Sequence, residues 1–154
     1  AWMIPSASIS DVRALAHGAT APSQAASTGM IRLAQAEAAA EPVESPVTYS
    51  SEQAARGERR YLRDCEECHG SDLRGGLIGG APLRGTSFEH KYFGGPASAL
   101  FFYMSATMPP NSPGRYSPAT YADLMAYILQ QNGFVAGDPL PAEPDALDYL
   151  MLEK

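Results

Sequence analysis

Apolar residues recur at helical spacing most clearly in the last third of the chain. Ser117 is a good helix cap, and Pro118 suits the first helical position. The apolar residues behind them stand at positions i, i+3, i+4, i+7 and i+8: Tyr121, Leu124, Met125, Ile128 and Leu129. Gly133 is placed to end this segment, because glycine readily adopts the left-handed conformation that closes a helix. The pattern therefore predicts an amphipathic helix with one apolar face.

Two further helices are predicted upstream. Ser50 and Gln53 form a capping box, which predicts a helix over residues 52–63. Gly57 lies inside that helix, where glycine is unfavourable, and so indicates that another element crosses closely there. A shorter helix fits residues 97–106, and the Met-Pro-Pro sequence that follows predicts its end, since a residue before proline favours extended backbone.

The rest of the chain lacks such periodicity. Residues 70–97 are rich in glycine and proline and are interpreted as loop, and residues 137–154 as an extended, proline-containing acidic tail. Residues 1–48 are rich in alanine and are interpreted as an extended partner-binding arm or a linker of a processed chain. Strand patterns are nearly missing, so we expect an all-α domain over residues 49–136 between two extended ends.

The net charge and its distribution along the chain exclude one class of function. The net charge is −6, of which residues 1–48 contribute −2 and residues 137–154 contribute −4, while residues 49–136 are neutral. A nucleic-acid binder needs clustered Lys and Arg to neutralise phosphates, so that class is excluded. No run of about 18 apolar residues occurs, so no transmembrane helix is predicted.

The two cysteines of the chain carry the most specific signal. Cys65, Cys68 and His69 form a Cys-x-x-Cys-His sequence, the attachment pattern of a c-type haem. Residues three apart on a helical turn share a face, so both sulfurs can reach the two vinyl groups of one porphyrin edge. The histidine that follows is placed as the proximal iron ligand. We therefore expect one covalently bound haem c.

Three other interpretations of the cysteines are weaker. A zinc site needs about four ligands, and only His17 and His90 remain to supply them. A thioredoxin-like dithiol requires a βαβ setting, which the pattern does not predict. A disulfide between the two cysteines would leave the glycine-rich region without a core to wrap.

The sixth iron ligand separates an electron carrier from a gas- or peroxide-binding protein. Met108 is the preferred candidate, because it lies just beyond a predicted helix in a loop held extended by proline. Met104 has helical spacing with apolar neighbours and is assigned to core packing. His90 stands in a polar stretch and is interpreted as a surface residue.

Taken together, residues 49–136 resemble a monohaem class I cytochrome c, a fold of three or four short helices and long loops around one haem. The resemblance is carried by Gly57 and Tyr61, by the Cys-x-x-Cys-His-Gly motif at residues 65–70, by Met108-Pro and by the helix that begins near Tyr121. It implies that Gly57 faces the region of Tyr127, where the first and last helices cross. It also implies that the carbonyl of Pro82 accepts a hydrogen bond from His69 Nδ1, which would strengthen that ligand.

The run at residues 108–114 and the start of the last helix are similar to cytochrome c modules of bacterial quinoprotein (pyrroloquinoline-quinone) alcohol dehydrogenases. This resemblance implies a periplasmic electron-transfer subunit with no catalytic residues of its own. Such a subunit accepts electrons from a partner dehydrogenase and passes them to another cytochrome or an oxidase. The alternatives are a freely diffusing carrier, and a haem sensor or peroxidase with an open iron site.

Overall fold

A computed structural model describes residues 41–154. Within this range the chain forms mostly short helices joined by long loops, and the all-α prediction is confirmed. The elements in chain order are β1 Ser45–Pro46, α1 Ser51–Asp64, α2 Glu66–His69, α3 Thr86–Tyr92, α4 Ala97–Thr107, α5 Pro118–Gln131, α6 Pro144–Leu147 and β2 Leu150–Met151. The two longest, α1 and α5, pack against each other and frame the site described below.

Helix α1 begins at the predicted capping box. The Gln53 amide N–H donates to the Ser50 hydroxyl, and the Ser50 N–H donates to the Gln53 side chain. A Cβ on Gly57 would collide with the backbone carbonyl of Asp123 and lie 3.0 Å from the Cβ of Tyr127. The helices therefore cross backbone against backbone at Gly57, as predicted, because only a residue without a side chain fits there.

Helix α5 also has the predicted ends. The Thr120 N–H donates to the Ser117 hydroxyl, Pro118 occupies the first position, and Gly133 follows with a positive φ of 81°. Its apolar stripe is buried, and so are Ala122, Ala126 and Tyr127, so that between residues 121 and 129 every residue except Asp123 is buried. This burial on nearly all sides makes α5 the central element of the core.

The interpretation of residues 70–97 as loop is wrong for one segment. Helix α3 forms between Gly85 and Gly94, both of which have positive φ. Phe88 is buried, and its ring packs on Tyr92 at 5.0 Å between centroids. Two turns between flanking glycines are too short to show helical periodicity in the sequence, and tertiary packing of the phenylalanine stabilises the helix instead.

The C-terminal residues are not the extended tail that the sequence predicted. Leu140, Leu147 and Leu152 are almost fully buried, and β2 pairs in parallel with β1. The Lys154 ammonium lies 4.9 Å from the centre of the Phe93 ring. Within the described residues, apolar contacts therefore join the segments on both sides of residues 49–136 to the core.

Most of the predicted N-terminal arm, residues 1–40, lies outside the described residues. Its role as a partner-binding arm or linker stays a prediction. Over residues 41–154, no helix has both the length and the apolar composition needed to cross a bilayer.

Candidate cofactor site

The Cys-x-x-Cys-His motif forms a single helical turn directly after α1. Cys65 caps α1, and the backbone N–H groups of Cys68 and His69 both donate to its carbonyl, at 3.2 and 3.0 Å. Both thiols are free and half-buried, and His69 is 9% exposed. Cys65, Cys68 and His69 therefore stand on one helical turn, with Cys65 at its N-terminus.

The imidazole of His69 is oriented by a backbone carbonyl. Its Nδ1 lies 2.7 Å from the oxygen of Ala81, so Nδ1 carries the proton and Nε2 keeps a free lone pair. The predicted acceptor, the carbonyl of Pro82, is wrong by one residue. Consecutive carbonyls of a non-helical segment point to different sides, so a loop that aims the Ala81 oxygen at the ring turns the next one away.

A glycine-rich loop wraps around the same turn. The N–H groups of Gly75 and Gly76 donate to the carbonyls of His69 and Cys68, both at 2.9 Å. A Cβ on Gly76 or Gly80 would collide with the backbone of Cys68. These glycines are needed because the loop backbone lies directly against the motif.

The turn is also fixed from α1 and α5. The Tyr61 hydroxyl donates to the carbonyl of Gly70 at 2.6 Å, and Tyr61 is 1% exposed. Its ring packs on Tyr127, with centroids 5.3 Å apart. Packing between the first and last helices is thereby connected to the residue that follows His69.

Met108 lies at the end of α4 and packs against the edge of the core. Its backbone carbonyl accepts a hydrogen bond from the Tyr121 hydroxyl at 2.7 Å. Met104 is buried within α4, in agreement with core packing. His90 is exposed on α3, in agreement with a surface position. Among the three, Met108 alone has a half-buried side chain at a loop.

A polar cluster lies beside the first cysteine. Asp64 accepts hydrogen bonds from the Tyr116 hydroxyl at 2.8 Å and from Arg60 at 3.1 Å. Burial works to raise the pKa of Asp64, but these hydrogen bonds outweigh it and hold the pKa below its ordinary value. Burial, with the hydrogen bond to Asp64, raises the pKa of Tyr116 to about 12. Sequence reasoning missed this cluster, since its members come from separate elements.

Burial holds the Cys65 thiol in its neutral form. Burial raises the pKa of the Cys65 thiol to about 11, so the group is neutral near pH 7. A neutral thiol is a poor metal ligand and a slow redox nucleophile. Residues 41–154 contain no cluster of three or more His, Cys, Asp or Glu able to hold a metal ion by themselves.

The residues present fit a c-type haem. They supply a thiol pair on one turn, an imidazole with its Nδ1 proton fixed, and a thioether on a separate loop. Cys65, Leu83 and Met108 all pack half-buried against the hydrophobic core. This combination of covalent anchors, a nitrogen and a sulfur donor, and apolar surroundings is the donor set of a haem that transfers electrons.

Comparison with known protein families agrees with this chemistry. The family described as cytochrome c oxidase, cbb3-type, subunit III matches residues 52–128, which is half of the chain. Comparisons with curated proteins and with solved structures give no match. The matched range contains α1, the Cys-x-x-Cys-His turn, Met108 and most of α5. The chain therefore belongs to this family of cytochrome c domains, a class of protein that binds haem c and transfers electrons.

Proposed function

We propose that the chain binds a single haem c through thioether bonds to Cys65 and Cys68, with His69 and Met108 as the axial ligands. The observation that carries this proposal is the fixed His69 ring on the turn that also bears both cysteines. Its Nδ1 proton is donated to Ala81, so Nε2 is the nitrogen available to iron. Two cysteines in the whole chain suffice for one haem.

When bound, the haem supplies one-electron chemistry between ferric and ferrous iron. The chain's own residues set its properties. His69 would supply the nitrogen ligand and Met108 the thioether ligand, and a thioether ligand would raise the potential. The Tyr121 hydroxyl holds the backbone of Met108 in place, so the thioether is presented by a fixed loop. A haem held by both residues would carry electrons and would leave no iron position for gases or peroxide.

We further propose that the protein works in the bacterial periplasm as an electron-transfer subunit. It accepts electrons from a partner dehydrogenase, of quinoprotein type, and passes them to another cytochrome or an oxidase. The resemblance of residues 108–114 to quinoprotein modules supports the donor side of this proposal. The family description names an oxidase subunit, which supports an oxidase on the acceptor side. A freely diffusing carrier and a haem sensor or peroxidase with an open iron site are the competing functions.

Haem attachment is tested by expressing the chain with a c-type haem maturation system. We expect a haem-staining band on a denaturing gel and a mass increase of one haem per chain. Cys65→Ala should leave a single thioether and shift the reduced absorption maximum, whereas the exposed-site control Val135→Ala should not. A wild-type chain without covalent haem would contradict the proposal.

Partner binding is tested in the native host by deleting residues 1–40, all of which lie outside the described residues. A permanent subunit would copurify with a dehydrogenase or oxidase in fixed ratio, and the deletion should break that association without changing the haem spectrum. A chain that elutes alone in gel filtration at every salt concentration is a diffusing carrier. Binding of carbon monoxide or cyanide without a lag would indicate the open-site alternative.

A further inference from the structure

One buried amide outside the motif makes an unusual set of contacts. Asn132 caps the C-terminus of α5 and is 6% exposed. Its Nδ2 donates to the carbonyls of Leu83 and Ile128, both at 2.8 Å. Its Oδ1 is buried and accepts no hydrogen bond from any residue of the described range. The amide cannot be reversed, because that would place Oδ1 against two carbonyl oxygens.

The contact with Leu83 reaches the loop that orients His69. The carbonyl of Ala81 accepts the His69 Nδ1 proton, and two residues later the Leu83 N–H donates to the carbonyl of Leu73 at 2.7 Å. Asn132 then binds the Leu83 carbonyl from the other side. The backbone N–H and the backbone carbonyl of Leu83 are therefore both hydrogen-bonded, which holds this part of the loop in place. The Ala81 carbonyl, two residues earlier, is thereby held facing the imidazole.

The unpaired oxygen is informative because buried acceptors without a donor are unfavourable and rare in folded proteins. A hydrocarbon side chain of similar size would remove that penalty. Compared with such a hydrocarbon side chain, the amide adds two donated hydrogen bonds, of which the one to Leu83 reaches a different segment of the chain.

We propose that Asn132 is a positioning residue for the axial histidine. It acts through Leu83 and Ala81 to keep the His69 Nδ1–H hydrogen bond short and aligned. This inference rests on the proposed function, in which Nε2 of His69 binds the iron. A firm hydrogen bond at Nδ1 increases the donor strength of Nε2 and favours the ferric state. Loosening the loop should therefore raise the reduction potential.

The test uses two variants of Asn132 and one matched control, all with haem bound. Asn132→Leu removes both donors together with the unpaired oxygen. Asn132→Ser can still donate to the carbonyl of Ile128, four residues earlier, but is too short to reach Leu83. Gln53→Leu is the control, because Gln53 is also a buried amide but bonds to Leu140 and to the Ser50 N–H, away from the histidine loop. Three properties are measured: midpoint potential, solvent exchange of the His69 Nδ1 proton in the ferrous protein, and urea midpoint.

We expect both Asn132 variants to raise the ferrous-to-ferric ratio at a fixed electrode potential by about threefold. The change is smaller than the effect of losing the hydrogen bond to His69 itself, because Asn132 acts on that bond only through the loop. They should also speed exchange of the Nδ1 proton. Gln53→Leu should lower the urea midpoint at least as much while leaving the potential and the exchange unchanged, because it removes the partner of three backbone groups without touching the histidine loop.

Two results would overturn the inference. One is an unchanged potential and exchange rate in Asn132→Ser, which folds with one of the two contacts retained. The other is an equal shift in Gln53→Leu, which would mean that general loosening moves the potential. A wild-type chain without covalent haem would instead remove the proposed function itself, so the two failures are distinguishable.

Discussion

The hydroxyl of Tyr121 is predicted to hold the iron–methionine bond closed. It donates to the Met108 carbonyl at 2.7 Å, and its ring is buried between Phe101 and Tyr116, with centroids at 6.4 and 5.4 Å. Tyr121→Phe keeps the ring packing and removes only the donor. The variant therefore isolates one hydrogen bond on the loop that carries the proposed ligand.

The size of the effect follows from the contact. A neutral hydrogen bond to a half-buried carbonyl contributes about 1 kcal/mol net, since water can replace part of it. Where ligand release breaks this bond, the release equilibrium shifts by at most the same free energy, which is about fivefold. At high pH methionine ligands are displaced by deprotonated groups, so the midpoint of that transition should fall by up to about 0.7 pH unit.

The assay is a pH titration of the ferric protein, followed by the weak far-red absorption band of the methionine–iron bond. Tyr127→Phe is the matched control, because Tyr127 is buried in the same helix but packs on Tyr61. Its midpoint should match that of the wild type. An unchanged midpoint in Tyr121→Phe, or an equal fall in both variants, would refute the reasoning.

Three further predictions concern stability. Gly57→Ala should lower the guanidinium midpoint despite the better helix propensity of alanine, since overpacking costs about 1–3 kcal/mol against a gain of about 1 kcal/mol; a higher midpoint would show that the helices do not touch there. Wild type should have a higher free energy of unfolding than Asp64→Asn, and this difference should be constant above about pH 5 and shrink as pH falls. The reason is that a carboxyl group whose pKa is lowered by folding stabilises the folded state only while it is ionised. A difference that does not change with pH down to acid unfolding would contradict this prediction. Leu147→Ala should cost about 2–5 kcal/mol by urea titration, whereas the exposed control Val135→Ala should cost little; equal small effects would mean that the C-terminal segment is not part of the core.

Local chemistry explains which parts of the fold the sequence predicted. The capping box at Ser50, the proline after Ser117 and the glycine after α5 act on their own neighbours, and all three form as expected. The haem-binding motif is equally local, because its spacing is one helical turn. The α1–α5 crossing was predicted from Gly57 together with the family resemblance.

The parts that were not predicted depend on contacts between distant residues. Helix α3 is stabilised by burial of Phe88, and the C-terminal segment by three leucines separated by polar residues and prolines. Neither set forms a periodic pattern, so composition alone indicated loop and tail. Which carbonyl accepts the His69 hydrogen bond, that of Ala81 or that of Pro82, depends on the rotation of one peptide unit. A family resemblance locates such a loop only to within about one residue.

The central claim is that one haem is bound between His69 and Met108, and the far-red band of the purified ferric protein tests it most directly. We expect the band in wild type and in Met104→Leu, because Met104 is a core residue of α4. We expect loss of the band in Met108→Leu, with the covalent haem retained. A wild-type spectrum without the band, or a band that survives Met108→Leu, would contradict the assignment.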